Sequence, residues 1–447
     1  MVLTPGRSRD RAEIVELLLE ARARTLLLVS PLSEEDLRTQ HSPLMSPLVW
    51  DLGHVGHFEE VWLLEKLDGG GDGGEGLRGI YNPFEHPRSE RGELSLPSSS
   101  EALEYMGRVR RSVLDHLPDL DLPTAAERPD SDPLLREGFV FGMVLQHEYQ
   151  HNETILQTLQ LKKGKPYRAP RSLAAPDPAD GAPPPAGSFV RFPGGEITIG
   201  TDEWGGVYDN ERPRHRRTLE PFWIGASPVT EGEYAAFVDD GGYERAELWS
   251  REGWAWREEG RLGAPGGWIS GGDGWNVGRM DRTRPLDPRR PVCHVSYHEA
   301  EAYARWAEAR LPTEFEWEAA ASWDPAGGVA YSHPWGDEPP TVERANVDQA
   351  LFDTTPVGSY PENLSPIGCY GMIGDVWEWT SSDFRGYPGY RTFPYEEYSE
   401  AFFGSEYKVL RGGSWATRPG AIRNTFRNWD FPIRRQIFSG FRMARDE

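Results

Sequence analysis

The sequence predicts an α+β protein of two domains, an N-terminal four-helix bundle followed by a larger half of short strands and loops. Three observations carry this. The chain has 447 residues, about three times the usual size of one domain. Its first 165 residues repeat apolar side chains at spacings of three and four, the signature of amphipathic helices. Beyond them the periodicity changes, with short apolar runs broken by Gly, Pro, Asp and Asn. The totals of 49 Gly, 38 Pro and 17 Trp are more turn formers and aromatics than a helical bundle needs.

The elements follow in order. Arg9 to Val29 places Ile14, Leu17, Leu18, Ala21, Thr25 and Leu28 on one stripe. A second helix is expected from Ser46-Pro47, a cap followed by proline at the first helical position, through Trp50, Leu52, Phe58 and Trp62 to about Leu67. Gly69 to Glu75 (GGGDGGE) stops it. A third spans Ser99 to about His116, opened by Ser99, Ser100 and Glu101. The fourth and most apolar runs from about Pro133 to Leu161. The long connection from Asp68 to Pro97 is unusual for a bundle and marks a functional segment. The helical domain is therefore drawn at 1–168. Residues 169–187 hold six prolines and no apolar periodicity, a semi-rigid linker, and 188–447 form the second domain. There, Phe189–Phe192, Ile197–Gly200 and Phe222–Ala226 read as strands. Two short helices start from the capping boxes Ser296/Glu299 and Thr313/Glu316.

Composition excludes several functions. With 48 basic and 71 acidic residues the net charge is −23, which repels phosphate backbones and argues against nucleic-acid binding or a membrane-surface role. No run of 18 apolar residues occurs, and the N-terminus lacks the apolar stretch of a signal peptide. Two cysteines, Cys293 and Cys369, make neither a disulfide framework nor a Cys-rich metal site, and both are taken as structural. A cytoplasmic protein is expected.

Histidine is scarce, 11 in all, so its placement is informative. His147 and His151 in LQHEYQHNET lie four apart on the apolar fourth helix, hence about 40° apart on one face. Two imidazoles so placed hold one metal ion without strain. The second helix carries His54 and His57 in WDLGHVGHFEE, and in a bundle helices two and four can face each other across the core. Three imidazoles with no thiolate and no obvious carboxylate leave open metal positions, which suits catalysis. The residues do not choose between zinc and iron. Glu148, directly after His147, occupies the place of the base in zinc-protease motifs, so a zinc hydrolase competes.

Further segments carry a family resemblance. Phe189–Thr201 (FVRFPGGEITIGT), Pro228–Glu231 (PVTE), Arg310–Trp317 (RLPTEFEW), Gly374–Trp379 (GDVWEW), Arg411–Trp415 (RGGSW) and Gly440–Arg442 resemble, in that order, the formylglycine-generating-enzyme or sulfatase-modifying-factor fold, a variant of C-type lectin architecture. The copper-binding cysteine pair of a formylglycine-generating oxidase has no counterpart in ATRPGAIRNTFRN after RGGSW, so that activity is disfavoured. The N-terminal half resembles a DinB-like bundle. LGHVGHF, HEYQHNET and the C-terminal FRNWDFPIRRQIFSGFR resemble the EgtB-type sulfoxide synthases of ergothioneine biosynthesis, which join these two folds.

That resemblance implies Fe(II) held by His54, His147 and His151, with a calcium ion on the second fold allowed. The implied reaction joins the imidazole C2 of Nα-trimethylhistidine (hercynine) to cysteine or γ-glutamylcysteine, with O2 oxidising the sulfur. Tyr395 is implied as the catalytic proton donor and Tyr398 as its neighbour in the substrate site. Gln150, Asn428 and Trp429 resemble positions around the trimethylammonium group, where an aromatic face acts through cation–π attraction. Asp430, Arg434 and Arg91, or in its place Arg88, resemble those that hold the amino and carboxylate ends of the thiol. His57 stands where the family usually has an aromatic. No oligomeric partner is required. The competing readings are a selenoneine- or ovothiol-type synthase, a zinc-dependent hydrolase or thiol transferase on the bundle with Glu148 as base, and a non-catalytic binding module. Against the resemblance, Tyr395 and Tyr398 read alone are a packing pair, and RNWDFPIRR a salt-bridged surface turn.

Overall fold

Helix α1, Arg11–Val29, begins where Asp10 accepts a hydrogen bond from the Glu13 amide, and its stripe of Ile14, Leu17, Leu18, Ala21, Thr25 and Leu28 is fully buried. The computed structural model describes residues 10–68, 79–124, 127, 128, 130–170, 182–272 and 274–447. Its two compact units are Met1–Ser172 with Glu203–Val207, and Leu173–Asp202 with Tyr208–Glu447. The stop signal at 69–75 and most of the Pro-rich stretch lie outside the described residues.

In the first unit, a five-residue helix α2 (Glu34–Arg38) with a Ser33/Asp36 capping box follows α1; it is too short to leave a periodic signal. Helix α3 is Leu48–Glu60, extended by a π-helical segment Val61–Glu65 and a last turn Lys66–Asp68. Its cap is Pro47, without a side-chain hydrogen bond, so the expected Ser46-Pro47 start is one residue early. The Ser46 hydroxyl accepts from Arg91 instead. Helix α4 is Ser99–His116, with Ser98 rather than Ser99 closing the box on Glu101. Helix α5 is Phe139–Gln160; it starts six residues later than expected because Glu137 (φ 54°) and Gly138 (φ 68°) turn left-handed. α1 packs against α5, and α3 against both α4 and α5.

A closed polar network runs through this bundle. Arg22 and Arg110 meet Glu59 and Glu148 with N–O distances of 2.5–3.0 Å, and all four are at least nine-tenths buried. Thr25 Oγ1 donates to Glu148 Oε1 at 2.8 Å, and Asn152 Nδ2 to Thr25. Two cations and two anions leave no net buried charge, the condition under which ions survive in a core.

The second unit is α+β. Phe189–Phe192, Phe222–Gly225 and Ala444–Asp446 form an antiparallel sheet, and Gly195–Ile199 pairs with His215–Leu219. A four-stranded sheet orders Asn428–Asp430, Gly404–Arg411, Trp377–Phe384 and Ser439–Phe441, the last pair parallel. The two expected helices, Tyr297–Trp306 and Glu314–Ser322, carry the expected capping boxes. Two more were not anticipated: Glu231–Asp239, with its own Thr230/Glu233 box, and Arg251–Gly260. The loops are fixed by buried arginine–carboxylate forks, Arg442 on Glu378 and Arg427 on Glu314 among them. Cys293 and Cys369 are free and buried, and burial pushes their thiols up to about 12 and 11, which makes them inert as nucleophiles. Among the described residues no helix is long and apolar enough to cross a membrane.

Candidate metal centre

Helical spacing puts Trp50, His54 and Phe58 on one face of α3, and His147 and His151 on one face of α5. Where these faces meet, the three imidazoles make a nearly equilateral triangle, with ring centroids 5.0 Å (His54–His147), 4.9 Å (His54–His151) and 4.6 Å (His147–His151) apart. One nitrogen from each lies within 4.8 Å of the others.

Each ring is held from behind. His54 Nδ1–H donates to the Tyr81 carbonyl at 2.9 Å, which fixes the tautomer and leaves the Nε2 lone pair facing the triangle. Trp50 stacks on His54 at 4.7 Å and 15°, and the Arg91 guanidinium lies 3.6 Å over the Trp50 ring. Phe58 stacks on His147 at 3.8 Å and 12°. Asp51 Oδ1 lies 3.2 Å from His151 Nδ1, beside the ring though not aligned as a hydrogen bond. Burial, with His151 beside them, holds the pKa values of His54 and His147 well below the usual histidine range, so both rings are neutral ligands at pH 7.

The donor set fits a metal ion. His54 Nε2 and His147 Nε2 are 3.2 Å apart. For two nitrogens each about 2.1 Å from one ion, that separation gives an N–metal–N angle of about 100°, between tetrahedral and octahedral values. His57 is buried but belongs to a different contact, its ring 6.1 Å from that of Tyr81 and outside the triangle.

Sequence reasoning missed the supporting residues. A carboxylate is present after all: Asp51, three residues before His54, sits beside His151. Gly53 has a specific task, because a Cβ there would fall 2.1 Å from the Tyr81 ring. Its absence lets Tyr81 approach α3 and offer its carbonyl to His54. Glu148 is corrected outright. Its carboxylate faces Arg22, Arg110 and Thr25, which hold its pKa down to about 2 against the cost of burial. A base must accept a proton near neutral pH, so the zinc-hydrolase reading loses its catalyst.

Arg91 is buried, donating from Nε to His86 O, from Nη1 to Ser46 Oγ and from Nη2 to Pro83 O, with one N–H left on each terminal nitrogen. Arg88 lies in the same 3-10 turn, Arg88–Glu93. Gln150 is half-buried on α5, between the two histidines.

The other sequence-singled residues lie in the second unit. Tyr395 is half-buried, its ring 5.5 Å from that of the buried Tyr398. Asn428, Trp429 and Asp430 form the edge strand of the four-stranded sheet rather than a surface turn, and all three are half-buried. Trp429 stacks on Phe384 at 4.1 Å and 9°, while Asn428 Oδ1 accepts from the Trp429 amide at 2.9 Å. Asp430 Oδ1 accepts from the Phe431 amide and lies 3.6 Å from Arg434 Nε.

Comparison with known proteins decides the family. Residues 17–155 match the DinB superfamily, and 175–447 match the sulfatase-modifying factor enzyme 1-like domain. The chain is 46% identical to a hercynine oxygenase of Mycolicibacterium thermoresistibile, over 98% of this chain and 95% of that protein. It is 48% identical to a hercynine oxygenase of Mycobacterium tuberculosis, over 96% and 97%. The chain belongs to the hercynine oxygenase family. It is therefore an oxygenase-type enzyme made of a DinB-like bundle and a sulfatase-modifying-factor-like α+β domain. The second domain is also similar to a formylglycine-generating enzyme of Streptomyces coelicolor, 36% identical over 62% of this chain and 96% of that one. This chain's second domain thus shares that enzyme's fold, and its segment after RGGSW holds no cysteine.

Proposed function

We propose that this member of the hercynine oxygenase family is an iron(II)- and O2-dependent sulfoxide synthase, joining hercynine C2 to the sulfur of cysteine or γ-glutamylcysteine. The observation that carries the proposal is the triangle of three imidazoles, in a chain nearly half identical to hercynine oxygenases along its length. Electrons balance without a reductant. One C–H and one S–H bond break, one C–S and one S–O bond form, and the four electrons lost reduce O2 to the sulfoxide oxygen and one water.

His54, His147 and His151 would hold the metal. Bound Fe(II) supplies open coordination positions and the redox chemistry that O2 requires. The remaining work belongs to side chains. The Tyr395 phenol is kept protonated by burial and by nearby Tyr208, Glu397 and Asp209, which raise its pKa far above the ordinary value. It therefore carries its proton over the whole physiological range, the state a proton donor requires. Asp430 and Arg434 offer opposite charges 3.6 Å apart, the complement of an amino acid's ammonium and carboxylate. Arg91, with N–H groups remaining on both terminal nitrogens, adds a second carboxylate donor. Trp429, its ring fixed by Phe384, and the Asn428 and Gln150 side chains serve the trimethylammonium substrate.

The test is anaerobic loading with Fe(II), then addition of hercynine with cysteine or with γ-glutamylcysteine, then O2, with products followed by mass spectrometry. A sulfoxide with one of the two thiols is expected. Absence of sulfoxide with both, together with zinc-dependent hydrolysis, would overturn the reading. Alanine at His54, His147 or His151 should lower metal content, whereas His57→Ala should retain it.

A further inference from the structure

Residues 208–211 of the second unit grip the loop that carries Tyr395. The 3-10 turn Asp209–Glu211 is itself rigidly seated. Glu211 receives Arg423 in a fork and Thr425 Oγ1 at 2.6 Å, and Arg427 Nη1 donates to the Asn210 carbonyl at 2.8 Å. From this seat the Asp209 carboxylate, 1% exposed, accepts three hydrogen bonds. Oδ2 takes the Tyr390 hydroxyl at 2.6 Å and the Phe393 amide at 3.2 Å, and Oδ1 takes the Ser399 hydroxyl at 2.5 Å. The donors bracket Tyr395 on both sides in sequence. Asn210 Nδ2 adds a bond to Ser399 Oγ at 2.9 Å, and Tyr208 stacks at 4.7 Å and 19° on Tyr398, the ring that neighbours Tyr395.

We propose that Asp209 is a positioning residue for Tyr395, a single buried carboxylate that ties both flanks of the 390–399 loop to the rigid turn and so fixes where the phenol proton is presented. Three donors converge on one buried carboxylate, which the Arg212 guanidinium also stabilises electrostatically, and hydrogen bonds from both flanks of the loop specify its geometry. Loop residues are otherwise the mobile part of a fold, and proton transfer is sensitive to misplacement by an ångström. Burial pushes the Asp209 pKa above the usual carboxylate value, and the three donors oppose that shift. The inference rests on the proposed role of Tyr395 but is testable apart from it.

The experiment compares wild type, Asp209→Ala and Asp209→Asn in the full-length chain. Hydrogen–deuterium exchange of peptides covering 390–399 reads the clamp without any substrate. Sulfoxide formed per O2 consumed, with kcat and KM, reads its consequence. Exchange should rise about tenfold or more in Asp209→Ala and less in Asp209→Asn, which keeps one acceptor oxygen. Sulfoxide per O2 and kcat should fall in the same order, with KM changing less. Unaltered exchange in Asp209→Ala overturns the proposal. So does raised exchange with wild-type coupling, if Tyr395→Phe loses coupling in parallel. Wild-type coupling in Tyr395→Phe would instead remove Tyr395 from the reaction and with it the catalytic half of the proposal, while exchange still judges the clamp. Should Asp209→Ala fail to fold, the Tyr390→Phe/Ser399→Ala double variant keeps the carboxylate, removes two donors and must give the same pattern.

Discussion

Replacing Glu148 by alanine leaves Arg22 and Arg110 facing Glu59 alone, an uncompensated positive charge inside the bundle. The lost contacts are Arg22 Nε at 2.8 Å, Arg110 Nη2 at 3.0 Å and Thr25 Oγ1 at 2.8 Å, all at a carboxylate with 1% exposure. Removing one member of a buried ionic network costs about 3–5 kcal/mol. For a domain of this size each kcal/mol lowers Tm by about 2–4 °C, so the bundle should melt roughly 6–20 °C lower. Glu148→Gln, which keeps the volume and one acceptor oxygen, should lose less. Glu148 points away from the triangle, so protein that remains folded should still bind metal. Calorimetry with metal content measured on the folded fraction checks both. A Glu148→Ala protein with wild-type Tm but no turnover would refute the structural assignment and restore Glu148 as a base. The pH sign agrees: a carboxylate depressed to about 2 stabilises the fold above its unfolded value, and that stability is lost as pH falls from the ordinary carboxylate range toward 2.

Asp51→Asn should weaken Co(II) or Zn(II) binding about 10- to 100-fold in competition titrations, since a carboxylate beside a histidine of the proposed ligand set supports metal binding by that ring; unchanged affinity would remove Asp51 from the site. Gly53→Ala gains helix propensity but drives Cβ into Tyr81, so it should lower both Tm and metal content; a stabilised, fully metallated variant would contradict the packing. His294, pushed down to about 3 by burial, and His298 and His333, pushed down to about 4, favour a folded state that holds them neutral. Stability should therefore fall as pH drops below about 6.5 toward 4, as melts across that range would register. Asp375, raised to about 6 by burial, opposes this, as do the raised carboxylates of Asp209 and Glu318, while the lowered His54 and His147 add to it.

How far the sequence could be read depended on the range of the interaction involved. The α1 stripe, the Ser296/Glu299 and Thr313/Glu316 boxes and the His147/His151 pair were legible because their partners lie three to seven residues apart, where backbone geometry fixes proximity. The Arg22–Glu148 bridge spans 126 positions and was not. The start of α5 was misplaced because the left-handed conformation at Glu137 has no side-chain signature. Glu148 was misjudged for a related reason: adjacency to His147 suggests a shared task, but neighbours on a helix point about 100° apart.

By itself the sequence determined the two fold classes, named the histidines proposed to bind metal and, through the motifs it shares with sulfoxide synthases, pointed to the family. Tertiary structure alone decided which histidines share one point in space, that the Tyr81 carbonyl aims His54 while Asp51 lies beside His151, and that Glu148 is a structural ion. It alone also disclosed that Asp209 reaches across 181 to 190 positions to Tyr390, Phe393 and Ser399. The physical reason is that ligand chemistry belongs to residue type, which sequence records. Orientation, charge compensation and burial belong to neighbours that only folding brings together.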